Sequence, residues 1–420
     1  MDGATSARSG PLSHVLVLDL SSFLAGPYCT QILADLGARI IKLERLEGQG
    51  DFTRHLPPHF VKGTSAYFHS INRSKESVVI DLKRPEGRDV FLRMIRQADM
   101  VFENYRPGVM QRLGLGYATL AEVNPRIVLC SISGFGQDGP YRERPAYDMI
   151  VQALSGSMSI TGEPGRSPVR MGIPLGDLAA GMFGAIGALA ALQRRDIDGR
   201  GQHVDVSMLD CQVSMLCYLA EYYLVSREVP GPQGRGHVSI PTYRSFTCGD
   251  GIDVTVTANT EKMWQSLCQM LGLPELIQDP RFLTNEDRSR NKEALWKELE
   301  AAFLRQPSTE WLKRLEASDI PAAPVNTVDR ALADPQVRHR RMVVTAQHPD
   351  GDTLPLLGNP VKLSRTSCET ITWPPELGEH TRPVLEQLLG MSPEEVSALE
   401  TSGVVYCGGQ PTPSGSTKGS

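Results

Sequence analysis

Val15-Leu16-Val17-Leu18-Asp19-Leu20 is a nearly continuous apolar run of strand length. Such a run suits a parallel sheet covered on both faces. A Gly26-Pro27 turn follows, and then Thr30, Ile32, Leu33 and Leu36 recur at helical spacing until Gly37 stops them. Arg39 to Leu43 (RIIKL) reads as the next strand. Strand, turn, helix and strand in roughly thirty residues make a βαβ unit. The pattern returns with a strand over Val78 to Leu82, a helix over Pro85 to Ala98 and a strand over Met100 to Asn104. Pro85 suits a first helical turn. Arg126 to Ser131 adds another buried strand, and Tyr147 to Ser155, Asp177 to Arg195 and Val206 to Ser226 read as helices.

The second half changes character. Val229 to His237 (VPGPQGRGH) is rich in Pro and Gly, a linker or mobile loop. Tyr243 to Phe246 and Ile252 to Thr257 alternate like half-exposed strands around the hairpin turn Gly249-Asp250-Gly251. Helices fill 260 to 318, and Asp319 to Val325 (DIPAAPV) is a second linker candidate. Short strands follow Val343, and a last helix spans Pro393 to Thr401 with Ser392 as its N-cap. The layout predicts an α/β fold without internal repeats. Residues 1–10 form an N-terminal extension, and 11–228 with 335–405 form a large Rossmann-like parallel-sheet domain. Residues 229–334 form a smaller α+β domain with its linkers, and 406–420, mostly Gly, Ser, Pro and Thr, form a disordered tail.

Of the 420 residues, 40% are hydrophobic and 22% charged, which is ordinary for a globular protein. A net charge of −5 provides no basic face for nucleic acid. The longest apolar run, Leu178 to Leu192, is broken by Gly181, Gly184 and Gly187 and ends in Gln193-Arg194-Arg195, so it reads as a buried helix and not as a membrane span. Cysteines 29, 130, 211, 217, 248, 268, 368 and 407 show no C-x-x-C spacing. They signal neither a metal site nor a redox motif, and they fit reduced core cysteines in a reducing compartment. Met1 to Gly10 has no apolar secretory core, and Asp2 is a poor start for a mitochondrial transit peptide.

Two features bear on chemistry. Asp177 stands where a long helix begins, as an N-cap or as a carboxylate whose ionised form the helix end favours. Gly134-x-Gly136-x-x-Gly139 fits the dinucleotide fingerprint after a strand. Pro140 and the charged Arg142-Glu143-Arg144 follow it in place of an apolar helix start, so a nucleotide loop is rejected.

Eight segments occur in a specific order: Ala25-Gly26-Pro27, Ile41-Lys42-Leu43-Glu44-Arg45, Glu103-Asn104-Tyr105-Arg106-Pro107-Gly108, Asn124-Pro125-Arg126, Gly134 to Pro140, Gly176-Asp177, Gly199-Arg200-Gly201-Gln202 and Leu377-Gly378-Glu379-His380-Thr381. In that order they resemble the class III CoA-transferases, the family of formyl-CoA and carnitine CoA-transferases. The resemblance covers about Pro11 to Val405. It implies ring-like chains in an interlocked homodimer. It also implies a mitochondrial matrix location, no tightly bound cofactor, and coenzyme A thioesters and free short-chain acids, dicarboxylic ones such as succinate and glutarate, as substrates. Asp177 matches the family's nucleophilic aspartate. For CoA it implies Ala25, Gly26, Arg45, Lys75, Asn104, Tyr105, Arg106 and Arg112. For the acyl group and its distal carboxylate it implies Leu24, Tyr67, Arg73, Phe135, Arg170, Gly234 and Arg235, with Arg73 favoured for the carboxylate. Phe135 stands where the oxalate enzyme has a tyrosine. Gly231, Gly234 and Gly236 resemble the family's mobile loop over the reactive anhydride.

Two other readings remain. An α-methylacyl-CoA racemase of the same fold needs two opposed acid/base groups, and racemases carry a histidine beside an aspartate where this chain has Tyr147-Asp148. A non-catalytic acyl-CoA-binding protein needs no carboxylate at 177.

Overall fold

In the computed structural model, which describes residues 9–47, 49–366, 368 and 371–408, the apolar runs become the strands of one large sheet. The order begins β1 (Leu16–Asp19), α1 (Ala25–Asp35), β2 (Arg39–Glu44), then the short strands β3 (Phe60–Val61) and β4 (Thr64–Ser65), and α2 (Ala66–Ile71). It continues with β5 (Lys75–Ile80), α3 (Pro85–Ile95), β6 (Met100–Glu103), α4 (Val109–Arg112), α5 (Tyr117–Val123) and β7 (Val128–Ser133). α6 (Asp148–Leu154), α7 (Leu175–Asp198), β8 (His203–Ser207) and α8 (Met208–Met215) follow.

The sheet order is Val405–Tyr406, β5, β2, β1, β6, β7, β8. Every pairing is parallel except that of Val405–Tyr406 on β5. Successive strands grow outward in both directions from β1, so the order reverses between β1 and β6. Parallel sheets bind ligands at the carboxyl ends of the strands beside such a reversal.

The unbroken apolar runs are explained by burial on both sides. Val15, Val17, Ile40, Phe102 and Val128 join a core with α1 and α7. Their neighbours Leu16, Leu18, Ile41, Val101 and Leu129 join a second core with α3 and α5. By length and composition α7 is apolar enough to cross a bilayer. Its small residues Ala179, Ala180, Gly184 and Ala188 are buried, and the helix packs closely along α1 and β7.

The chain divides into two compact units. The larger takes the residues through Ser157, Met171–Tyr218 and those from Arg340 on; the smaller takes Met158–Arg170 and Leu219–His339. The smaller unit has an antiparallel sheet ordered Ala322–Pro324, Asp253–Thr257, Ile240–Thr247, Gly236–His237. Phe246, Val254, Trp264, Phe303 and Trp311 fill its core.

Two readings are corrected here. Residues 203–207 are an edge strand, although Val206 was expected to open a helix; alternation over five residues is too short to separate from a helical start. Tyr406, placed in the expected tail, pairs with Val79. Residues 409–420 of that tail and 1–8 of the N-terminal extension lie outside the described residues.

Candidate active site

The loops after β1, β6 and β7 converge on one cleft with about 870 Å3 of empty space. Ser22, Phe23 and Ala25 line it from the first loop, Asn104, Tyr105 and Arg106 from the second, and Gly134 and Phe135 from the third. Arg142, Arg144, Tyr147 and Asp177 complete the wall. Two loops are latched together: the Asn104 amide donates to the Ser22 carbonyl at 2.7 Å, and its Oδ1 accepts the Ser22 N–H at 2.9 Å. Gly26 allows α1 to start here, because a Cβ at that position would lie 2.2 Å from Ser21 Cβ. The Phe23 ring touches Phe52 and, edge-on, Tyr147.

Asp177 sits in the first turn of α7. Burial pushes its carboxyl up to about 7, and the nearby Asp148 charge adds to the effect. Desolvation and a like charge thus act against the helix end, which favours the ionised form. Tyr67 faces the same charges, and burial first, then Asp177, push its phenol up to about 12. Withdrawn from water yet facing a cleft, Asp177 has the environment of a reactive group.

A second, more apolar cleft with about 1370 Å3 of empty space lies alongside, and Tyr105 and Arg106 line both. Arg45, Lys83, Leu82, Val109 and Leu113 line it as well, with the acidic Glu47 and Asp81, and Lys83 pairs with Glu47. Arg45 and Arg106 beside an apolar surface suit a phosphorylated ligand with a flat ring. A third, smaller cleft lined by Arg45, Tyr105, Phe23 and Asp51 lies next to both.

Residues 12–381 match CoA-transferase family III. The chain belongs to this family. It is 36% identical to human succinyl-CoA:glutarate CoA-transferase over 395 residues, covering 94% of this chain and 90% of the relative. It is 42% identical to the acetyl-CoA:oxalate CoA-transferase of Acetobacter aceti over 366 residues, 87% of this chain and 92% of the relative. The crystal structure of a CaiB/BaiF family protein from Brucella suis superposes with a TM-score of 0.82 at 36% identity, covering 91% of this chain and all of that one. The protein is thus a class III CoA-transferase, an enzyme that moves CoA between acids.

Within this transferase the expected site residues separate. Asp177, Ala25, Asn104, Tyr105, Arg106 and Phe135 line the Asp177 cleft, and Arg45 lines the two beside it. Leu24 is buried at the start of α1 and lines none of the three clefts. Arg112 is exposed and lines none of the three clefts.

Lys75, expected to contact CoA, is held inside the fold. It is buried, and its Nζ reaches Asp19 at 3.1 Å, the Pro27 carbonyl at 2.9 Å, the Thr30 hydroxyl at 2.8 Å and Asn72 Oδ1 at 3.0 Å. Burial pulls its ammonium down to about 8. Burial alone would raise Asp19, but Lys75 and Lys42 hold it down at about 2. Arg73, expected to hold the distal carboxylate, is also buried, and its Nε and Nη2 edge grips Asp35, Nε–Oδ1 at 3.1 Å and Nη2–Oδ2 at 2.5 Å.

Arg170, Gly234 and Arg235 belong to the smaller unit. There Arg235 pairs with Asp253 and reaches the Thr247 hydroxyl, and Gly234, at φ +61°, donates its N–H to the Gly162 carbonyl at 2.9 Å. Reading the sequence missed Phe23, Arg142 and Arg144 as cleft residues. The two arginines did leave a signal, since they were the charges that ruled out a nucleotide loop.

Proposed function

We propose that Asp177 carries CoA covalently between two short-chain acids, at least one of them dicarboxylic, as in transfer from succinyl-CoA to glutarate. The observation that supports this is a carboxylate withdrawn from water in a cleft that shares its Tyr105-Arg106 wall with a more apolar cleft to which Arg45 also contributes. CoA would lay its phosphates on Arg45 and Arg106 and bring its thioester past Tyr105. The Asp177 carboxylate attacks the thioester carbonyl, the C–S bond breaks, and CoA leaves as thiolate. The thiolate attacks the aspartyl carbonyl of the resulting anhydride, which gives aspartyl-CoA and frees the donor acid. The acceptor carboxylate attacks that thioester and expels the thiolate. The thiolate then takes the acceptor acyl group and regenerates Asp177.

A dicarboxylic substrate brings a second carboxylate that needs a partner in a closed site. With Arg73 engaged by Asp35, the arginines that line the Asp177 cleft are Arg106, Arg142 and Arg144. Relatives named for succinyl-CoA with glutarate and with mesaconate agree with a dicarboxylic reading. A homodimer is part of the proposal. It is supported by apolar side chains exposed on α6 and α7: Met149, Ile150, Phe183 and Ile186.

Incubation with succinyl-CoA followed by hydroxylamine should leave a hydroxamate on Asp177, read by peptide mass spectrometry. An adduct on another carboxylate would sink the assignment. A panel of acyl-CoA donors and acids, read by mass spectrometry of the CoA products, should show transfer to glutarate in preference to a monocarboxylic acid of similar length.

A further inference from the structure

One carboxylate beside the site lies outside the cleft wall and is held at both oxygens. Asp148, the first residue of α6, accepts the Gly176 N–H on Oδ1 at 2.7 Å. Its Oδ2 accepts from the Gln152 amide at 2.7 Å. Gln152 is itself buried, and its Oε1 accepts the Met171 N–H at 2.9 Å. Gly176 has no room for a side chain: a Cβ there would lie 3.1 Å from Asp148 Oδ1 and 2.7 Å from Gln212 Nε2. That amide nitrogen is buried without a hydrogen-bond partner. So the peptide immediately before the nucleophile is clasped on one side by a charge and on the other by a buried amide. The carboxylate serves both donors at once, and it also sets a second negative charge beside Asp177.

We propose that Asp148 is a positioning residue for Asp177, anchoring the first turn of α7 through Gly176 and setting a fixed negative charge beside the nucleophile. The proposal rests on Asp177 as the nucleophile. The charge makes the Asp177 carboxylate more basic, and a more basic carboxylate attacks the thioester better once ionised. It acts together with the burial that raises Asp177. The other titratable group that feels the Asp177 charge is Tyr67 from α2, whose phenol is pushed up to about 12. Arg106, Arg142, Arg144 and Tyr147 line the same cleft. Asp148 itself does not line the cleft, so removing its charge should spare substrate binding.

The test is the pH profile of kcat and of KM for succinyl-CoA with the full-length enzyme. Asp148→Asn keeps an oxygen for the Gly176 N–H, loses the charge and gives up the bond from the Gln152 amide. Its acid limb should move to lower pH by roughly one unit. Its plateau kcat should fall several-fold, with KM within about twofold of wild type. Asp148→Ser, the second variant, loses both charge and anchor; the same limb shift with a larger loss of kcat is expected. If both variants keep the wild-type limb, or if KM and kcat change together, Asp148 is only a structural contact and the proposal fails. Hydroxylamine trapping separates this from failure of the nucleophile assignment, because the Asp177 adduct should still form in both variants above pH 8.

Discussion

At the scale of single residues, burial decides roles that residue type leaves open. Asp177 shows it most directly, with its carboxyl at about 7. Its ionised form should set the acid limb of kcat/KM, with activity falling about tenfold per pH unit below that value. The same shift has a stability consequence of definite sign. A carboxyl raised on folding contributes stability below its unfolded value, and that stability is lost as pH rises through about 7. Asp177→Asn should therefore abolish activity and yet raise the unfolding temperature relative to wild type at pH 8, by the equivalent of about 4 kcal/mol, and by less than half of that at pH 5. An equal change at both pH values in thermal melts would contradict the raised carboxyl. Arg73 gives the opposite case. Arg73→Met strands the buried Asp35 and should cost about 3 kcal/mol in urea unfolding. It should leave KM for glutarate unchanged, whereas Arg142→Gln or Arg144→Gln should raise KM for dicarboxylates at little cost in stability. A rise in the glutarate KM of Arg73→Met with full stability would return the carboxylate role to Arg73.

At the scale of elements, the helices and strands that surround the site depend on close approaches. The turn into α1 passes so near Ser21 that only glycine fits at position 26. Gly26→Ala should cost about 1–3 kcal/mol through overpacking and should weaken CoA binding as the latched loops shift. An unchanged urea midpoint would show that the turn relaxes freely. Much of this level was legible in the sequence. The helix Pro393–Thr401 has its boundaries as read, and its Ser392 cap is doubled by Glu395 in a capping box. The hairpin around Gly249-Asp250-Gly251 also stands, with Tyr243 opposite Thr257. Such signals are local, made by residues a few positions apart. β8 was not legible, because its partner β7 lies across a long loop and the α7 helix, and its own five residues carry too little pattern.

At the scale of the whole molecule, the strand reversal beside β1 brings three loops to one place, where we propose the CoA-transfer site. If two chains interlock as the family resemblance implies, they cannot part without opening the polypeptide path. Subunit dissociation and unfolding should then coincide at every protein concentration, as seen by light scattering and circular dichroism in urea. A folded monomer on dilution would exclude interlocking.

The sequence by itself determined the α/β class, the order of most elements, the family and the position of Asp177. These rest on periodicity over neighbouring residues and on short motifs in order. Only the tertiary structure decided what each charged side chain does. Lys75 and Arg73 stand among residues that resemble CoA contacts, yet their partners are Asp19, which is 56 positions from Lys75, and Asp35, which is 38 from Arg73. Asp148 meets the peptide ahead of Asp177 across 28 positions. The motif identifies a carboxylate, but its basicity comes from the water that folding removes and from a charge that folding brings near. Neither desolvation nor a contact between distant positions is encoded in local spacing.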